Sequence, residues 1–352
     1  MEDVIRFWLA RGVDGFRVDV IHKLAKDAAL RDNPAPDPAD PDPVRDYFGQ
    51  QHVYDEDRPE VHEIIRRWRC LLDQFGERMM VGEVYLLDPR RVAPYYGAAL
   101  DELQLAFNFR FLWSPWEAAA FRARVDEVEA ALPVGAQPTY VLSNHDAPRH
   151  RTRFDDRVSG DARARVAALM LLTLRGTPFL YYGEEIGMRD GDIAPQCVRD
   201  PLGRRFPSLG RDPERTPMQW DASRHAGFST GADTWLPLAP DCESVNVARQ
   251  RGDPASLLSF YRRVIWYRKA SPALLDGTYR PVDSPRDTFV YLREHGSQRL
   301  LVALNFGREA RTVALPEGQR GSLVLSTLPD RVAPAGGEFT LAANEGVIVQ
   351  IA

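Results

Sequence analysis

Cysteine is scarce in this chain of 352 residues: Cys70, Cys197 and Cys242 stand far apart, odd in number and without a C-x-x-C pair. That excludes an all-paired disulfide framework and a cysteine-rich zinc site, and it fits a reducing cytoplasm. No apolar run is long enough to cross a bilayer. The first residues, Met1-Glu2-Asp3-Val4-Ile5-Arg6, lack the basic-then-apolar layout of a signal peptide. An excess of positive charge is also missing. The formal net charge is -5, which argues against nucleic acid or an anionic membrane as the main partner. What remains is an ordinary globular composition, 44% hydrophobic and 27% charged, long enough for a large domain with an appendage.

The stretch Gly12 to Lys23 organises the rest. Gly12 stops an apolar helix that ends in Leu9-Ala10-Arg11. Phe16, Val18 and Val20 then alternate with Gly15, Arg17 and Asp19, the period of a strand with one apolar face. Arg17 and Asp19 share the other face, where the guanidinium favours the ionised carboxylate. Such an acid suits a nucleophile or electrostatic stabiliser better than a proton donor. Two later apolar runs also end in acids, Met79 to Glu83 and Thr139 to Asp146. Strands are also read at Glu102 to Phe109 and Pro178 to Gly183. Helices are read from Pro59 to Phe75, from Trp116 to Leu132, from Ala162 to Leu174 and from Leu257 to Arg268.

A Pro/Asp-rich segment, Asp32 to Pro43, reads as a stiff exposed loop. Glu184 to about Pro254 has little periodicity, and a loop of that length is usually functional. After Pro272 short alternating strands follow one another, so 273–352 reads as a small all-β sandwich and 1–272 as the catalytic domain. Five strand-then-helix units imply a parallel sheet covered by helices, either doubly wound or a (β/α) barrel. Acids at the C-terminal ends of several strands favour the barrel.

Carboxylates gathered at one barrel mouth suit glycoside hydrolysis, in which one carboxyl protonates the leaving oxygen and another attacks. Glu83, raised by acidic neighbours, fits the acid/base role and Asp19 the nucleophile. A divalent cation held by three acids and a histidine is the rival reading.

Gly15-Phe16-Arg17-Val18-Asp19, Gly82-Glu83-Val84 and Ser143-Asn144-His145-Asp146 resemble signature segments of the α-amylase superfamily of retaining glycosidases. Gly176 to Gly187 and Arg215-Thr216-Pro217-Met218-Gln219-Trp220 are similar to its α-glucosidase and oligo-1,6-glucosidase branch. The resemblance implies an α/β fold, a partial (β/α)8 TIM barrel holding strands four to eight, followed by an all-β C-terminal sandwich. It implies Asp19 as nucleophile, Glu83 as general acid/base and Asp146 as transition-state stabiliser. Arg17 and His145 would bind sugar in the −1 subsite and Arg149 a neighbouring hydroxyl. Val20 would set linkage preference, and His22 would face either the leaving group or solvent.

The substrate implied is a small oligosaccharide, with no cofactor and no metal. A transglycosylase or trehalose-forming isomerase could use the same triad, and a non-catalytic relative would lack its acids. The first three strands of the eight are absent from the pattern. The chain is therefore expected to be a piece of a longer enzyme, and catalytically inert if that piece stands alone.

Overall fold

The computed structural model describes residues 1–34, 51–316, 319–331 and 337–351. Most of the Pro/Asp-rich loop, from residue 35 to 43, lies outside the described residues. The chain forms two compact units, Met1–Arg110 with Glu127–Thr139, and Phe111–Asp126 with Tyr140–Ala352.

In the first unit, α1 (Glu2–Leu9) turns Ile5 and Leu9 inward. Gly12 then takes a positive φ of 89°, the left-handed conformation that lets a helix end turn back. Three parallel strands follow, β1 (Gly15–Val18), β2 (Met79–Gly82) and β3 (Leu105–Asn108). Gly15 pairs with Met79, and Val18 with Gly82. A Cβ on Gly15 would stand 2.4 Å from the Met79 carbonyl oxygen, so only glycine permits this pairing.

Between β1 and β2 lies α2 (Glu60–Asp73), which buries Val61, Ile65, Trp68, Leu71 and Leu72. That stripe packs with Ile5, Leu9, Met80 and Leu103 in one core. Each such side chain contributes about 1.5–3 kcal/mol. The core is what holds the C-terminal ends of β1 and β2 in place.

The second unit takes the residues of α3 (Ala118–Ala131) up to Asp126, then β4 (Thr139–Val141) from Tyr140, α4 (Gly160–Thr173) and β5 (Thr177–Phe179). Residues 166–173 of α4 are buried all round, as a helix of alanine and leucine requires. Residues 184–254 form short turns, and α5 (Leu257–Lys269) restores regular helix. Strands β6 (Thr278–Val282), β7 (Thr288–His295), β8 (Gln298–Asn305), β9 (Arg311–Ala314), β10 (Gly321–Ser326), β11 (Glu338–Leu341) and β12 (Gly346–Ile351) make the sandwich. One sheet runs β10-β12-β8-β7-β6 and the other pairs β9 with β11. Arg293, fully buried on β7, donates to the carbonyls of Thr173, Leu274 and Gly277 and so closes the C-terminus of α4.

Several expected strands end early, among them β5 at Phe179 and β2 at Gly82. β1 stops at Val18, so Asp19 and Val20 lie on a turn rather than on the strand. β4 stops at Val141, which leaves Ser143 to Asp146 in a loop. β3 gives way to helix at Phe109. Strands β6 and β11 have no counterpart in the sequence reading.

Candidate active site

The end of β1 and the end of β2 meet through Arg17. Its Nη2 donates to Glu83 Oε2 at 2.8 Å, and its Nη1 donates to Asp19 Oδ1. One planar guanidinium therefore holds both carboxyls. Glu83 is only 8% exposed, whereas the Asp19 side chain is 71% exposed. Burial, reinforced by the Asp19 carboxyl beside it, pushes the Glu83 carboxyl up to about 7. The Val20 amide and Arg17 pull the other way without cancelling it. Two neighbouring carboxyls thus meet different environments, one dry and one wet, which separates a proton donor from a nucleophile.

Val20 explains why β1 ends where it does. Its backbone N–H donates to Glu83 Oε2 at 3.2 Å, and its φ is 44°. A β-branched residue rarely takes this left-handed conformation, so a side-chain acceptor has replaced the next rung of the sheet.

His22 is 1% exposed, which corrects the reading that put it on a solvated loop. Its Nδ1 lies 3.2 Å from the Glu83 carbonyl oxygen and 3.4 Å from the Tyr85 amide nitrogen. Its Nε2 stands 3.9 Å from Glu56. Burial lowers its pKa to about 4, so it is a neutral support beneath the β2 end.

In the second unit, Asp146 Oδ1 accepts from Arg211 Nη1 and from Arg215 Nη2, each at 2.8 Å. His145 Nε2 lies 3.1 Å from Asp146 Oδ2, and Arg215 Nε also donates to the His145 carbonyl at 2.7 Å. Arg211 is shared with Asp200, whose carboxyl it holds well below the usual range. Glu214, next to Arg215, is 2% exposed, and burial pushes its carboxyl up to about 8.

Arg149 was expected to reach a sugar hydroxyl. It is 1% exposed, donates to the carbonyls of Tyr182 and Glu214, and lies over the rings of Tyr181 and Tyr182. These contacts support the loop. Sequence reasoning missed Arg211 and Glu214. Arg215 stood inside a quoted motif, but nothing local tied it to Asp146. Among the described residues, no group of three or more His, Cys, Asp or Glu side chains is disposed to hold a metal ion.

Residues 1–277 match the α-amylase catalytic domain. The chain belongs to the α-amylase family. Within that family it is 39% identical to a probable α-glucosidase of Rhizobium meliloti, over 96% of this chain and 64% of that protein. It is 31% identical to an oligo-1,6-glucosidase of Parageobacillus thermoglucosidasius, over 90% of this chain and 60% of that protein. The crystal structure of an α-glucosyl transfer enzyme superposes with a TM-score of 0.90 at 34% identity, covering 99% of this chain and 66% of that one. The chain thus spans somewhat less than two thirds of the length of these two curated relatives. Its fold class is the family's: a partial (β/α)8 barrel followed by a small β domain. No helix among the described residues is long and apolar enough to cross a membrane.

Proposed function

We propose that this chain carries the chemistry of a retaining α-glucosidase acting on short oligosaccharides. The observation that carries the reading is the Arg17 fork, which sets an exposed Asp19 beside a buried Glu83 that keeps its proton near neutral pH. Asp19 attacks the anomeric carbon while Glu83 protonates the departing oxygen. Water, deprotonated by the same Glu83, then releases the sugar with its configuration retained. Asp146 is assigned as the transition-state stabiliser and His145 as a sugar ligand, on their motif and on the arginine pair that fixes Asp146. Arg17 touches both reacting carboxyls and so orients them, and Val20 faces the leaving group. Residues 1–272 form the catalytic domain and 273–352 the β domain.

The work of this site is done on a small sugar in the cytoplasm, without nucleic acid or membrane. Free Cys70, Cys197 and Cys242 support that compartment. The likeness to an α-glucosyl transfer enzyme favours one second reading, transfer of the glucosyl unit to another sugar from the same intermediate. Proton NMR of fresh digests of maltose and isomaltose tests both. Retention releases α-glucose first, and transfer adds longer products. Early release of β-glucose overturns the proposal.

A further inference from the structure

Three buried side chains with no part in this chemistry form a line at the base of the loop that bears His145 and Asp146. Ser143 Oγ accepts the backbone N–H of His150 at 2.8 Å and lies 3.2 Å from His150 Nδ1. That same Nδ1 stands 3.4 Å from Glu184 Oε1. All three residues are 1% exposed. Ser143 and Glu184 face the same ring nitrogen of His150, so the row is not a hydrolytic triad, whose serine and acid bond different nitrogens. Their burial denies them any substrate, so their role must be exerted through the chain.

The placement shows what that role is. Ser143 and His150 are the two ends of the loop that holds His145, Asp146 and Arg149, and their hydrogen bond closes it like a clasp. Glu184 comes from the turn after β5, a turn set by Gly183 and Gly187, both with positive φ. A Cβ on Gly183 would stand 2.4 Å from Met188 Sδ, so this turn has little room to move. Glu184 therefore stands 3.4 Å from the clasp on a rigid point, without a hydrogen bond to it. Burying a carboxylate and an imidazole is costly, and apolar residues of similar volume would fill the space without that cost. A polar clasp instead specifies one arrangement of the loop.

We infer that Ser143, His150 and Glu184 are positioning residues for Asp146, fixing the loop from which it acts. The inference rests on the assignment of Asp146 as the third catalytic acid.

Hydrogen exchange on the full chain tests it, comparing wild type with Ser143→Ala, Glu184→Gln, His150→Leu and His150→Asn. Asparagine places its amide nitrogen where Nδ1 lies, and so is the rescuing variant. The first three should speed exchange of amides 144–147 and 149 by about tenfold or more, with the α4 amides unchanged and His150→Asn near wild type. In turnover assays the same three should lower kcat by about tenfold or more with KM within about twofold, since a stabiliser acts in the transition state. A uniform rise in exchange, no rise, or a local rise with kcat unchanged would overturn the inference. Where the wild-type chain has no glucosidase activity, exchange alone decides the clasp.

Discussion

Glu83→Gln should remove a pH dependence of stability that one carboxyl imposes on the whole first unit. Burial and Asp19 raise Glu83 from 4.5 to about 7 in the folded chain. Between those values the native state holds a proton that the unfolded chain has released. The stability contributed by that proton is fully present below about pH 4.5 and is lost as pH rises through about 7. A rise from 4.5 to about 7, at 1.36 kcal/mol per unit, corresponds to roughly 3 kcal/mol. The side chain is 11% exposed, so solvent screening removes little of this.

The assay is carboxyl carbon NMR on glutamate-labelled protein, with Glu83→Gln identifying the resonance, paired with urea unfolding across the same pH range. Wild type should lose stability relative to the variant by about 3 kcal/mol from about pH 4 to about pH 8. Asp19→Asn should lower the Glu83 midpoint, because the carboxyl that favours its proton is gone. A Glu83 resonance titrating near 4.5, or a wild-type minus variant difference that stays constant with pH, would refute the reasoning.

Activity should follow the same residues. In a complete enzyme carrying these segments, Asp19→Asn should abolish turnover, and Glu83→Gln should regain rate only on glucosides whose leaving group needs no proton, measured with an activated aryl glucoside. In wild type the alkaline limb of kcat/KM should fall near the Glu83 midpoint of about 7, because above it the general acid is deprotonated. Arg211→Met or Arg215→Met alone should cost little, since either arginine still holds Asp146. The double variant should lower kcat by more than the product of the two, which a double-mutant cycle reads directly. Val20→Thr should move the ratio of kcat/KM from isomaltose towards maltose by about 1–3 kcal/mol or less.

The Arg17–Asp19 pairing was legible because the two alternate residues fall on one side of the run, although Asp19 lies just past the strand end. Glu83 was legible because a short apolar run ended in an acid, and helix α2 because its apolar stripe is regular. What escaped notice depends on partners remote in sequence. Val20 belongs by propensity to a strand, and only the Glu83 carboxyl explains its left-handed turn. The burial of His22 was not legible because the groups it meets, Glu83 and Tyr85, are some sixty residues away. Arg211 and Glu184 sit in stretches without periodicity, and their meaning lies in Asp146 and His150. The bonds of Arg149 to the Tyr182 and Glu214 carbonyls likewise come from stretches remote in sequence.

The central claim is that Asp19 forms a covalent bond to glucose. A fluorinated glucosyl fluoride, which forms the intermediate faster than it is hydrolysed, should inactivate the protein with the mass increase of one fluoroglucosyl group. Peptide mass spectrometry should place that group on Asp19 and on no other residue. Turnover without a trapped adduct, or a label carried by Glu83 or Asp146, would contradict the account.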